Sequence, residues 1–185
     1  MTNYNLEEII NGCISQKREY QEKLYTLFSR KLFAACYNYS KDYAEAEDTL
    51  HEGFMKIFQN ISKYSYTGSF EGWMRKIIVN TALEKYRAQK HMYIVDNIEY
   101  TEDISYNEII SNISANDLME IINELTPQYK IVFNLYAIEG YSHKEISEML
   151  EISENTSKSN LSRARCILKN KVEKYFSINK VEIEN

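Results

Sequence analysis

Residues 142–171 read SHKEISEMLEISENTSKSNLSRARCILKNK, and this stretch contains the clearest helix signals of the C-terminal part of the chain. Ser142 and Glu145 have the spacing of a capping box, in which each side chain accepts a hydrogen bond from the other residue's backbone N–H group. A first helix therefore begins here, and after a short turn at 151–153, Ser153 is placed to cap a second helix. Two short helices joined by a tight turn predict a helix-turn-helix.

The second helix of this pair has two unlike faces. An apolar stripe with spacings of three and four predicts a buried side. Its members are Leu161, Ala164, Leu168, Val172 and Tyr175. The opposite side carries Asn155, Lys158, Ser159, Ser162 and Arg163. Amides and hydroxyls can bond base edges, and cations can neutralise phosphates, so this side predicts a face that enters the DNA major groove.

Positive charge is concentrated in this helix, although the whole chain has a formal net charge of -5. Residues 155–174 contain six lysines or arginines and one acid, Glu173. One explanation is that basic groups near a helix C-terminus complement the helix macrodipole. That explanation covers residues 169–174 but not the asparagine, serine and lysine composition of the first two turns, which favours DNA binding.

Other helix boundaries can also be predicted from capping residues. Thr126 is placed as the N-cap of a helix. Pro127 then takes the first helical position, where its missing N–H costs nothing, and Gly140 is placed to end that helix. In the N-terminal half, Asp42 can cap a helix and Ser69 can cap the next one. The sequence KYSYTGSF, with its glycine and hydroxyls, predicts a loop between these two helices.

Asn80 is a polar residue among apolar neighbours in the helix that follows Ser69. Apolar residues continue nearly all the way round this helix, which indicates burial on several sides or a partner surface. From the residues alone, Asn80 is interpreted as a core asparagine with a satisfied hydrogen bond. The alternative is that it faces a binding site.

Composition favours an all-α chain made of two small helical domains. The 185 residues include only 5 glycines and 1 proline, which favours helices with short connections. Between Lys90 and Lys130 there is no lysine or arginine but eight acids, which predicts an acidic linker. The predicted boundaries are a first domain at 1–90, the linker at 91–117, a second domain at 118–176 and a tail at 177–185.

Several function classes are disfavoured by the sequence. The 3 cysteines are far apart, without a CxxC pair, which argues against a disulfide framework and a zinc site. The N-terminus does not have the pattern of a secretory signal, and no apolar run reaches the length of a membrane span. We therefore expect a cytoplasmic protein without membrane insertion and without a cofactor. Because nucleophile motifs, phosphate loops and metal spacings are lacking, we do not expect an enzyme.

Three segments together resemble the extracytoplasmic-function (ECF) sigma factors of bacterial RNA polymerase. DYAEAEDTLHEGFMKIFQNISKY resembles the family's polymerase-binding helix, and GSFEGWMRKIIVNTALEKYR resembles the helix that follows it. LTPQYKIVFNLYAIEGYSHKEISEMLEISENTSKSNLSRARCILK resembles the second domain of the family. The likeness covers roughly residues 20–90 and 118–172. The first-domain motif and the second-domain motif occur in the family's order with an acidic connector between them, which makes the resemblance specific.

The resemblance implies roles for particular residues. Core polymerase would be bound through Asp48, His51, Glu52 and Phe54. The loop at 64–69 would hold a flipped base of the minus-ten element, and the melted strand and its phosphates would be contacted by Asn80, Lys76 and Arg87. The minus-thirty-five element would be bound through Asn155, Thr156, Lys158, Ser159, Ser162, Arg163 and Arg165. The implied partners are bacterial core RNA polymerase, promoter DNA and, as in many relatives, an anti-sigma factor.

The sequence departs from the family pattern at several positions. His51 replaces the usual glutamine of the polymerase-binding helix, and Gly53 places a poor helix former within it. Ser157 replaces a valine in the recognition helix, while Asn160 and Ser162 stand where basic or bulky residues are common. Promoter preference therefore cannot be carried over. The alternative function is a stand-alone helix-turn-helix transcriptional regulator.

Overall fold

The computed structural model describes residues 5–90 and 114–183, and this part of the chain consists of helices and short connections without a strand. The chain divides into two compact units, Met1–Tyr93 and Ile94–Asn185. The all-α prediction is therefore confirmed. None of the helices in the described ranges is both long and apolar enough to cross a membrane.

The first unit is built from four α-helices and a short 3-10 turn. Its elements are α1 (Leu6–Ile14), α2 (Arg18–Tyr37), α3 (Tyr43–Asn60), the 3-10 turn Ile61–Lys63 and α4 (Phe70–Lys90). The long helix α2 packs against α1, α3 and α4, and α3 also packs against α4. Side chains such as Leu24, Ile57, Met74 and Ile78 are fully enclosed between these helices. Their burial stabilises the unit and fixes which faces of α3 and α4 remain exposed.

The second unit contains the predicted helix-turn-helix. Its elements are α5 (Ala115–Asn123), α6 (Pro127–Phe133), a π-helical turn (Asn134–Ile138), α7 (His143–Leu150) and α8 (Glu154–Ile183). The long helix α8 packs against α5, α6 and α7. The predicted apolar stripe of α8 forms this interface, with four members buried and Tyr175 partly buried. The buried members are Leu161, Ala164, Leu168 and Val172.

The residues predicted as N-caps stand at the starts of their helices. Asp42 accepts a hydrogen bond from the backbone N–H of Glu45, at 2.8 Å, at the start of α3. Ser69 accepts one from Gly72 N at 3.1 Å at the start of α4. Thr126 is the N-cap of α6 with Pro127 in the first turn, although its side chain makes no capping hydrogen bond.

Some predicted boundaries differ from those of the structure. Helix α5 begins at Ala115, within the predicted linker, because the Ser114 side chain caps it through Asp117 N. Helix α8 continues to Ile183, into the predicted tail. The helix after Thr126 changes to a π-helical turn at Asn134 before Gly140 adopts a φ of 78°. Most of the predicted acidic linker, at 91–113, lies outside the described residues.

Candidate nucleic-acid and polymerase interfaces

The turn between α7 and α8 is closed by local hydrogen bonds. At the start of α7, Glu145 N donates to Ser142 Oγ at 3.3 Å and Ser142 N donates to Glu145 Oε2 at 2.8 Å, so the predicted capping box is complete. Helix α7 ends at Leu150, and its C-cap residue Glu151 has a left-handed backbone with φ of 54°. Ser153 then accepts a hydrogen bond from Thr156 N at 2.9 Å and begins α8. Both ends of α7 and the start of α8 are therefore capped locally.

The first two turns of α8 present part of the predicted DNA-binding face to solvent. Asn155 and Lys158 are exposed, and the Lys158 ammonium lies 4.0 Å from Glu154. Ser159 is half-buried and donates its hydroxyl to the Asn155 carbonyl oxygen at 2.8 Å. Thr156 is also half-buried, and its hydroxyl lies 2.8 Å from that of Ser153. This part of the helix can offer amide, hydroxyl and ammonium groups to a ligand.

The two arginines of α8 are oriented towards neighbouring elements of the same unit. Arg163 Nη1 donates to the Tyr129 hydroxyl of α6 at 3.3 Å, and Arg163 Nη2 is buried with no hydrogen-bond partner among the described residues. The Arg165 guanidinium lies 5.6 Å from the centre of the Tyr136 ring. Arg163 therefore packs within the second unit in this structure, rather than projecting from the face that it was predicted to occupy. Ser162 is half-buried.

Two polar residues of α8 face inward. Asn160 is 2% exposed and accepts a hydrogen bond from Gln128 Nε2 of α6 at 3.0 Å. Ser157 is fully buried, and its Oγ lies 2.9 Å from His143 Nδ1 of α7. At these two positions the sequence departs from the family pattern, and both side chains make contacts between helices. They therefore do not belong to the exposed face.

His143 lies in a cationic and partly buried environment. Burial lowers the pKa of His143 below its ordinary value of 6.5, and the nearby charges of Lys158 and Arg165 lower it further. The Glu154 carboxylate opposes this shift but does not reverse it. The imidazole ring is stacked on Tyr136, with ring centres 4.7 Å apart. His143 is therefore held neutral near pH 7.

Helix α4 carries the polar residues that were predicted to contact melted DNA. Asn80 is exposed, so its interpretation as a core asparagine is wrong. The polar residue enclosed at this level of α4 is Thr81, whose hydroxyl donates to the Ile77 carbonyl oxygen at 2.9 Å. Lys76 is exposed and Arg87 is half-buried. Because a helix turns about 100° per residue, Lys76, Asn80 and Arg87 lie on one face.

The predicted polymerase-binding residues of α3 do not share one environment. Asp48 and His51 are exposed, and the His51 ring is stacked parallel to Tyr25 with centres 6.4 Å apart. Phe54 is 3% exposed because it packs in the core, where the centre of its ring lies 4.6 Å from the centre of the Tyr25 ring. The prediction that Phe54 contacts polymerase is corrected accordingly, since its side chain is enclosed by its own unit.

Glu52 pairs with one lysine of its own helix, Lys56, and with one lysine of α4, Lys85. Its carboxylate lies 3.0 Å from the Lys56 ammonium and 3.4 Å from that of Lys85. Burial opposes ionisation of Glu52, but hydrogen bonds and charges from the two lysines outweigh it and lower the pKa of this carboxyl group. Glu52 is therefore a charged residue with partners inside the unit, while Asp48 and His51 offer exposed groups beside it.

The loop at 64–69 is an aromatic surface with a fixed backbone. The Tyr64 hydroxyl donates to the Gly68 carbonyl oxygen at 2.8 Å, and Gly68 has a φ of 87°. The Tyr64 ring contacts the rings of Tyr66 and Trp73, with centres 4.8 and 5.6 Å apart. Tyr66 is exposed and has a left-handed backbone with φ of 59°. Exposed rings of this kind can stack on a nucleic-acid base.

Comparisons with known proteins connect both units to one family. The family model "Sigma-70 region 2" matches residues 24–92, and "Sigma-70, region 4" matches residues 115–166. Together the two matches span more than half of the chain, in the order that the resemblance implied. The chain belongs to the sigma-70 family, among its ECF members.

Curated relatives agree with this assignment. The chain is 27% identical over 152 residues to the ECF RNA polymerase sigma factor SigW of Bacillus subtilis, covering 75% of this chain and 81% of SigW. It is 28% identical over 155 residues to the ECF sigma factor SigE of Mycolicibacterium smegmatis, covering 80% of this chain and 59% of SigE. Among solved structures, the sigma factor RpoE in complex with the anti-sigma factor NepR from Bartonella quintana aligns with a TM-score of 0.49. That alignment has 18% identity and covers 83% of this chain and 96% of RpoE.

The geometry refines which residues of this sigma factor are available to its ligands. Among the predicted contacts on α3 and α4 of region 2, the exposed residues are Lys76 and Asn80 on α4 and Asp48 and His51 on α3. In region 4, Asn155 and Lys158 are exposed at the start of α8. The contact between His143 and Ser157 was not predicted from the sequence. The replacement of valine by serine inside the recognition helix was its only signal.

Proposed function

We propose that this RNA polymerase sigma factor directs core enzyme to promoters through the exposed polar face at the start of α8. The observation that carries the proposal is the combination of a helix-turn-helix whose turn is capped on both sides with exposed Asn155 and Lys158 on its second helix. In the proposed complex, this face enters the major groove of the minus-thirty-five element. The half-buried Thr156, Ser159 and Ser162 support it with hydroxyl groups. Arg165 would contact the DNA backbone after moving from the Tyr136 ring.

Region 2 would bind and melt the minus-ten element. Asn80, Lys76 and Arg87 lie along one face of α4, so a strand that follows this helix can meet an amide and two cations in turn. The aromatic loop at 64–69 would receive a base that has left the stack, because ring stacking offsets part of the free energy of unstacking. Regions 2 and 4 would then recognise the two promoter elements separately.

Core polymerase is the proposed partner of the exposed part of α3. Asp48 and His51 are the candidate contacts, while Glu52 would act mainly by holding α3 to α4 through Lys85. The acidic segment between the two units is proposed to connect them within the polymerase. An anti-sigma factor is a further proposed partner, since a similar protein was solved in complex with one.

In-vitro transcription of fragmented genomic DNA from the source bacterium tests this function. Core polymerase with the sigma factor should start transcripts at defined promoters that core polymerase alone does not use. The free sigma factor should bind those promoters weakly in a gel-shift assay. Tight sequence-specific binding without polymerase would instead support a stand-alone regulator. A folded protein that does not associate with core polymerase would overturn the proposal.

A further inference from the structure

Ser157 is placed where it can control the direction of its neighbours on the recognition helix. Its side chain is 0% exposed, and its Oγ lies 2.9 Å from His143 Nδ1 across the α7–α8 interface. Successive residues of a helix are rotated by about 100°, so fixing the direction of Ser157 also fixes those of Thr156 and Lys158. Both neighbours belong to the face proposed to bind DNA.

We propose that His143 is a positioning residue for minus-thirty-five recognition, acting through its hydrogen bond to Ser157, and that protonation of its ring weakens promoter discrimination. The inference rests on the proposed function of α8. A valine at position 157 would pack by shape alone, whereas a hydroxyl needs a partner when buried, and His143 supplies it. The pair therefore sets one rotation of α8 relative to α7.

A second contact holds the His143 ring in place. Tyr136, in the π-helical turn, stacks on this ring with centres 4.7 Å apart and an angle of 24° between the planes. The Arg165 guanidinium lies 5.6 Å from the centre of the same Tyr136 ring. The imidazole thus joins three elements: the π-helical turn, α7 and α8. A change in the ring can therefore affect both Ser157 and the side chain of Arg165.

The charges around His143 explain why protonation would matter. Helix α8 contributes Lys158, Arg165 and Glu154 to its surroundings, and the π-helical turn contributes the Tyr136 ring. Protonation would add a third positive charge beside the two cations. In the neutral tautomer whose Nδ1 accepts from the Ser157 hydroxyl, protonation also makes Nδ1 a donor, so the hydroxyl must turn to accept instead. Both changes oppose the arrangement in which α8 presents Lys158 to DNA.

The test compares open-complex formation by the polymerase holoenzyme on two templates, a promoter found by genomic transcription and the same promoter with its minus-thirty-five element scrambled. The ratio of the two measures discrimination, and effects of pH on polymerase itself cancel in it. His143→Phe keeps a ring on Tyr136 but lacks Nδ1. His143→Asn keeps a hydrogen-bonding group near the Nδ1 position but does not titrate.

For the wild type, the ratio should stay constant from about pH 8 to about pH 6.5 and fall as the pH is lowered further, because the pKa of His143 lies below its ordinary value. His143→Phe should lower the ratio at about pH 8 by about threefold to tenfold, which lies in the lower part of the range for one coupled contact. His143→Asn should retain most of the discrimination and lose its pH dependence. A wild-type ratio and pH profile in both variants would overturn the inference. The inference would also be overturned if the ratio in His143→Asn still fell with pH as in the wild type. This second measurement remains informative if His143→Phe does not fold.

Failure of the inference can be distinguished from failure of the proposed function. If the wild-type holoenzyme makes no promoter-specific transcripts, the proposed function fails before any variant is compared. If it makes them and the His143 variants behave as the wild type does, the function stands and the positioning role is wrong. Binding of each variant to core polymerase, measured in parallel, identifies a general loss of folding.

Discussion

Gly53 of α3 lies so close to Ile78 of α4 that a Cβ atom at Gly53 would lie 2.2 Å from Ile78 Cδ1. Both residues are buried, and real Cβ atoms do not approach other carbons so closely. The glycine weakens the intrinsic helix propensity of α3, yet it allows α3 and α4 to pack closely. A residue that looks unfavourable in the sequence is therefore explained by packing in region 2.

Gly53→Ala is expected to destabilise region 2. Alanine would gain about 1 kcal/mol of helix propensity, but overpacking against Ile78 should cost about 1–3 kcal/mol. Thermal unfolding monitored by circular dichroism should therefore show a lower midpoint. The control is Gly53→Ala combined with Ile78→Val, which deletes Cδ1. Because the clash is then absent, the double variant should lose less stability than the sum of the losses in the two single variants. A single variant as stable as the wild type would contradict the close-packing explanation.

Asn80→Ala is expected to reduce open-complex formation while leaving stability and core binding unchanged. The side chain is exposed, so truncation removes no core contact and should change the free energy of unfolding by less than about 0.5 kcal/mol. Potassium permanganate reactivity of the minus-ten element measures melting, and thermal unfolding measures stability. Gln59→Ala, an exposed amide on α3, is the matched control. Equal loss of stability and melting in Asn80→Ala would point to a structural role.

Lys158→Ala distinguishes contact with phosphate from contact with a base. If Lys158 neutralises one phosphate, its loss should weaken holoenzyme binding similarly on all promoters and reduce the salt slope of log K by about 1. If it reads a base, the loss should be confined to one position of the minus-thirty-five element. Filter binding at several salt concentrations measures both effects. Lys174 is an exposed lysine further along α8, and Lys174→Ala should change neither the binding affinity nor the salt slope. A change that matches that of Lys158→Ala would indicate a general charge effect.

Local signals made much of this fold predictable. The capping box of Ser142 and Glu145 and the caps at Asp42, Ser69 and Ser153 depend on residues three apart, so the sequence contains all the needed information. The apolar stripe of α8 was equally clear, because its period matches that of a helix. The two-domain helical architecture followed from these elements.

The environments of individual side chains were harder to predict. Asn80 stands among apolar residues in the sequence, but α4 is only partly covered and leaves that position exposed. Phe54 belongs to the family's polymerase-binding motif, yet it is enclosed by the core of region 2. The contacts of Arg163 with Tyr129 and of Ser157 with His143 join residues on different helices. Such contacts depend on how helices pack, which no local pattern specifies.

The stability of region 4 is expected to fall as the pH falls, because of His143. Burial and the nearby cations Lys158 and Arg165 lower the pKa of His143 in the folded state below the ordinary 6.5, so the unfolded chain binds more protons in the intervening range. The contribution of neutral His143 is therefore complete above about pH 6.5 and is lost progressively as the pH falls through the lowered folded pKa. Thermal unfolding from about pH 8 to about pH 5.5 measures this decrease.

His143→Asn separates this effect from the titration of other groups. The asparagine does not titrate, so the variant should show a smaller loss of stability over the same pH range, while its stability at low pH should approach or exceed that of the wild type. Carboxylates contribute little above about pH 5.5, because their ordinary pKa values lie lower. If the two proteins show parallel pH curves, His143 does not contribute to the acid sensitivity of region 4. A steeper curve for His143→Asn would contradict the lowered folded pKa directly.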